Sequence, residues 1–97
     1  MNELSRLQSW YANQCNGIWE HSYGLSIETL DNPGWCLTVD LIDTDIFELS
    51  FIELKREAIE SDDDWLVCRV EDGRFRGHCG PANLQELLSI FLDFAGA

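Results

Sequence analysis

Leu25-Ser26-Ile27-Glu28-Thr29 and Trp35-Cys36-Leu37-Thr38-Val39-Asp40-Leu41, with Asp31-Asn32-Pro33-Gly34 between them, decide the fold. In both runs apolar and polar residues alternate with period two, which in a strand puts one set on a buried face and the other on a wet one. The linking segment combines Asp and Asn side chains that bond their own backbone, a fixed φ at Pro33 and a permissive Gly34. The two strands are therefore expected to fold back as a hairpin.

Working outward, Trp65-Leu66-Val67-Cys68-Arg69-Val70 is a strand with Leu66, Cys68 and Val70 on one face, and Glu71-Asp72-Gly73 turns it into Arg74-Phe75-Arg76-Gly77 as a second hairpin. The run Phe47-Glu48-Leu49-Ser50-Phe51-Ile52-Glu53-Leu54 begins with odd positions apolar and switches to even ones at Ile52. A bulge near Phe51 and Ile52, or two short pieces, would account for the switch. Before the first hairpin, Leu4, Leu7, Tyr11 and Cys15 recur at spacings of three and four, which predicts a helix over 3–14 that stops at Asn16-Gly17. After Gly80-Pro81, Asn83 stands three residues before Glu86 in capping-box spacing, and Leu84, Leu87, Leu88, Phe91 and Leu92 form a helical stripe to about Phe94. Short connections favour antiparallel neighbours. The expected fold is one α+β domain over 1–97: an antiparallel four- or five-stranded meander-like sheet with an N-terminal and a C-terminal helix packed on one face.

Composition narrows the function. The chain has 97 residues, 45% of them hydrophobic, enough to bury about 65% of the unfolded surface without metal or disulfide staples. Its 18 acids against 6 Lys plus Arg give a formal net charge of -12, which repels nucleic acid and anionic membranes, so neither is an expected partner. No secretory apolar stretch and no run near the roughly 20 residues of a membrane span is visible, so the expected location is cytoplasmic. The cysteines Cys15, Cys36, Cys68 and Cys79 form no Cys-x-x-Cys pair and read as free thiols of a reducing compartment.

Catalytic signals are sparse, and no cofactor or metal is expected. Zinc on Cys15, His21, His78 and Cys79 would use the right donors, but the spacings match no familiar pattern. Neighbours such as His78 and Cys79 point to opposite faces of a strand. His21 reads as a hydrogen-bonded loop residue, and phosphate-cradling glycine motifs are absent. A small metal- or thiol-dependent enzyme built on those four residues is the alternative reading, not the leading one.

The informative feature is acid density. Evenly spread, the carboxylates of a domain this size would place only about 2.5 in a standard recognition patch. Ten of them fall between Asp40 and Asp64, which suits a surface that meets a basic partner and speeds its association. Asp40, Asp43, Asp45, Glu48, Asp62, Asp63 and Asp64 are the candidate contacts. Trp10 and Trp35 fall on apolar faces and read as core. Trp19 lies outside any periodic segment and reads as an exposed aromatic anchor.

Trp10-Tyr11, Gln14-Cys15-Asn16-Gly17, Trp19-Glu20-His21, Tyr23-Gly24 and Thr29-Leu30-Asp31-Asn32-Pro33-Gly34-Trp35 together resemble the immunity protein 53 family of bacterial polymorphic toxin systems. Gly80-Pro81, Asn83-Leu84 and the Leu-rich last helix fit the same pattern. The stretch from Asp43 to Asp64 matches no motif, and position 18 holds Ile where the pattern has a polar residue. The resemblance implies a small, non-enzymatic cytoplasmic protein that binds and neutralises a cognate toxin. The acidic charge suggests that this toxin has a basic surface, as a nuclease would.

Overall fold

The computed structural model describes residues 2–57 and 63–97. Three helices, α1 (Glu3–Gln14), α2 (Trp19–Ser22) and α3 (Leu84–Ala95), accompany five strands: β1 (Leu25–Leu30), β2 (Gly34–Asp40), β3 (Leu54–Arg56), β4 (Leu66–Glu71) and β5 (Arg74–Cys79). The strands form one sheet in the order β1-β2-β5-β4-β3, with every neighbouring pair antiparallel. Among the described residues no helix is long and apolar enough to cross a membrane.

The first hairpin closes with Leu30 opposite Gly34, as the Asp31-Asn32-Pro33 turn predicts. The second closes over two residues. Asp72 (φ 53) and Gly73 (φ 73) are both left-handed, the geometry that matches the right-handed twist of the flanking strands. Register then sorts the faces. Trp35, Leu37 and Val39 on β2 stand opposite Cys79, Gly77 and Phe75 on β5, and these stand opposite Leu66, Cys68 and Val70 on β4. Leu37, Val39, Phe75, Cys79, Leu66 and Cys68 are buried together with Leu87, Phe91 and Leu92 of α3. Gly77 is required here because a Cβ would overlap the Leu87 side chain. This one gap lets α3 lie directly on the middle strand.

α1 joins the same layer. Asn2 caps it by accepting from the Ser5 N–H at 2.8 Å, and it buries Leu7 and Trp10. The buried stripe is therefore rotated from the one expected, since Leu4 and Tyr11 are exposed. Trp10 meets Phe91 edge to face at 5.0 Å between ring centres. The last helix begins where expected, but the capping box does not form. The Asn83 side chain makes no cap bond and instead donates to Asp64 at 3.3 Å. Glu86 is taken by the Arg56 guanidinium, a stronger charge-assisted partner than a backbone N–H.

Two departures from the sequence reading shape the rest. The run Phe47–Leu54 is not a strand; only Leu54 enters β3. Residues 41–53 instead cross from the end of β2 to the far edge of the sheet. This single connection breaks the meander, because β5 rather than β3 pairs with β2. The crossing lies on the helix side, where Leu41 and Ile46 are buried and the Phe51 ring sits 5.4 Å from Phe75 and 5.1 Å from Phe94. Phe51 faces inward and Ile52 outward in irregular backbone, which explains the switch of parity without a bulge.

Candidate partner-binding surface

The segment Asn16–Ser22 shows what the Asn-Gly-x-Trp-Glu spacing does. The Asn16 side-chain oxygen accepts the Ile18 and Trp19 N–H groups, both at 2.9 Å. The Glu20 carboxylate accepts the N–H groups of Asn16 at 2.9 Å and Gly17 at 2.7 Å. Gly17 has φ 90, which a side chain would disfavour. Its own backbone N–H and those of Asn16 and Gly17 hold the Glu20 carboxyl below its ordinary value. These residues close on themselves as a knot that starts α2 and turns Trp19 inward.

Trp19 is therefore not an exposed anchor. It is only 2% exposed, lies 6.2 Å from Trp10 between ring centres, and donates its indole N–H to the Ile42 carbonyl at 2.9 Å. A four-residue helix carries no periodicity from which that burial could be read. The indole instead fixes the start of the crossing segment, where Asp43 adopts φ 62, a conformation Asp tolerates better than most residues.

The predicted carboxylates separate into two groups. Asp40 ends β2 opposite Arg74, whereas Asp63 packs its backbone against Gly80 just beyond β5. Six residues of strand lie between these ends, roughly 20 Å. Asp40 is committed internally: it accepts from Arg74 Nε at 2.9 Å and from the Gly24 N–H at 3.0 Å. Asp64 is held likewise by Arg56 at 2.8 Å. The Arg56 guanidinium, bonded first to Glu86 and then to Asp64, is kept charged, and Arg56 in turn holds the Glu86 carboxyl below its ordinary value. Asp63 is exposed, and Asp62 lies outside the described residues. Among the described residues Asp43, Asp45 and Glu48 form no ion pair, and all three are exposed.

Composition did not reveal what accompanies them. Phe47 (49% exposed), Leu49 (50%) and Ile52 (85%) stand out from the same crossing segment, anchored from beneath by Ile46 and Phe51. Alternating carboxylates and exposed apolar side chains on a tethered loop make a surface with long-range attraction for cations and short-range affinity for an apolar pocket. The signal was present in the sequence as apolar residues on both parities, but it read as a strand.

The residues of the alternative reading do not assemble. Cys79 is buried under the helices while His78 points to the opposite face, opposite Cys36. The Cys15 thiol donates to the Tyr11 carbonyl, and His21 is exposed on α2. Among the described residues no three His, Cys, Asp or Glu side chains come together as metal ligands do. Burial pushes the Cys68 thiol up to about 12 and the Cys79 thiol up to about 11, away from the thiolate that nucleophilic chemistry needs.

No curated protein and no solved structure matches the chain. A model of the immunity protein 53 family matches residues 4–96, spanning the α2 knot, both hairpins and α3. The chain thus belongs to the immunity protein 53 family, and an immunity role is the function that membership supports.

Proposed function

We propose that this immunity protein neutralises a cognate bacterial toxin by binding it through the crossing segment between β2 and β3, without catalysis. Asp43, Asp45 and Glu48 attract a basic toxin surface, and Phe47, Leu49 and Ile52 fill apolar pockets on it. Asp63 supplies a second, weaker acidic contact at the other end of the sheet, and Asp62, next to it in the sequence, adds its charge. Asp40 and Asp64 serve the fold, being paired with Arg74 and Arg56.

The observation that carries this reading is the concentration of exposed large apolar residues between positions 47 and 54, beside carboxylates (Asp43, Asp45, Glu48) that form no ion pair among the described residues, on a loop rooted in the core. A charged rim that served solubility alone would not need them. The basic toxin surface, and with it a nuclease target, is drawn from charge complementarity. The test is co-expression of the chain with the toxin encoded beside it, followed by a titration of the two purified proteins. A stable complex and rescue of growth are expected. Lack of any complex at 50 mM salt overturns the proposal.

A further inference from the structure

The sheet face turned away from the helices is uncovered by any described element, and it collects most of the chain's positive charge. Strand alternation places Lys55, Arg69, Arg74 and Arg76 on it, four of only six Lys plus Arg in the protein. Lys55 pairs with Glu57 at 3.2 Å and Arg74 with Asp40 at 2.9 Å. Arg69 and Arg76 are different. They stand directly opposite one another in the β4–β5 ladder, where side chains are about 5 Å apart at Cβ and like charges repel. Among the described residues they share one carboxylate, Glu71, at 3.2 Å from Arg69 and 3.9 Å from Arg76. The next residues along the row, Thr38 and Ser26, are neutral.

A chain with three acids per cation has ample carboxylate to neutralise this pair. Two guanidinium groups on one Glu, half open to solvent, leave a place for one more anion. We propose that Arg69 and Arg76 together receive a carboxylate presented by the toxin, so that the toxin straddles the β4–β5 turn. The two surfaces approach one another round that turn: the Phe47 ring lies against Gly73 at its tip, and the arginine pair, on the other face, is the third residue pair down the ladder, roughly 10 Å from Gly73 along the strand. A nucleic acid is a poorer occupant, because the net charge of -12 repels a polyanion while tolerating a single carboxylate on an otherwise basic protein.

The inference rests on the toxin-binding reading, and the experiment separates the two. Titration of the full chain with the toxin encoded beside it compares the wild type with Arg69→Gln/Arg76→Gln. The expected result is at least tenfold weaker binding by the variant, with a free-chain melting temperature equal to or above that of the wild type, since a repulsion has been removed. Binding within twofold of wild type overturns the arginine site alone, whereas a wild type that binds no toxin overturns both readings. A second readout needs no variant. His78 lies beside both arginines, and burial together with their charge lowers its pKa. A carboxylate docked between them raises that pKa in the complex by NMR, and an unchanged value counts against the site.

Discussion

The Trp19 indole N–H and the Ile42 carbonyl are joined at 2.9 Å, so the loop that carries Asp43 is tied to the core by a residue whose sequence context reads as an exposed anchor. Replacing Trp19 with Phe removes that bond, leaves the carbonyl without its donor and shrinks a packed ring. A loss of about 2 kcal/mol in unfolding free energy is expected, read from urea midpoints. An unchanged midpoint would show that the indole only fills space.

The close approach of α3 to β5 at Gly77 gives a pairwise test. Gly77→Ala forces a methyl into the Leu87 side chain and is expected to destabilise by about 1–3 kcal/mol. Leu87→Ala in the same chain makes room for it. The double variant should therefore be more stable than the two single losses added together, as a double-mutant cycle measures.

On the proposed surface, exposed Ile52 is expected to contribute to the complex and not to the free fold. Its burial in a partner pocket is worth about 2 kcal/mol, so Ile52→Ser should weaken toxin binding by roughly thirtyfold while leaving the melting temperature within a degree. Equal affinity for both would remove the apolar half of the proposed surface.

The carboxylates at the two ends of the sheet should answer differently. Asp43→Lys, Asp45→Lys and Glu48→Lys together slow association several-fold at low salt, and the difference from wild type fades as salt rises. Asp64→Lys sets a cation against Arg56 and is read as lost stability in the free chain. A stopped-flow series that found the same salt response for both variants would contradict this division.

Acidification acts through His78 first. Burial, then Arg69 and Arg76, hold its folded pKa below the ordinary 6.5, so as pH falls through that value the unfolded chain takes up a proton before the folded one does. Stability consequently drops from about pH 7 downward. Glu20 and Glu86 have lowered folded values. Their contribution is complete above the ordinary 4.5 and is lost as pH falls through the folded values. His78→Gln should shrink the loss in melting temperature between pH 7.5 and 5.5 and leave the loss at lower pH in place.

Helix α3, both hairpins and the extent of α1 were legible because each carries one periodicity and ends in a turn with its own chemistry, as at Asp72-Gly73, but the face that α1 buries was not, since Leu7 and Trp10 go inside while Leu4 and Tyr11 stay exposed. The crossing segment was not. Phe47, Leu49, Phe51 and Ile52 are apolar for two different reasons, some to root the loop and some to face outward, and a hydropathy pattern does not distinguish them. The mispairing of Asn83 has a similar origin: local spacing proposed Glu86 as its partner, but Arg56, thirty residues away, competes for that carboxylate. Even the candidate acids were chosen by density alone, which does not reveal that Asp40 and Asp64 are already held by arginines.

The position of β5 between β2 and β4 has a consequence for synthesis on the ribosome. The first hairpin emerges early, yet the strand that must lie against its inner edge is made about forty residues later, and the helix that roofs it comes last of all. Until then the growing chain has an unfinished layer that only α1 and α2 can partly cover, so assembly waits for long-range pairing and is correspondingly slow. Under the proposed role only finished copies would act, which favours a reserve made in advance of need.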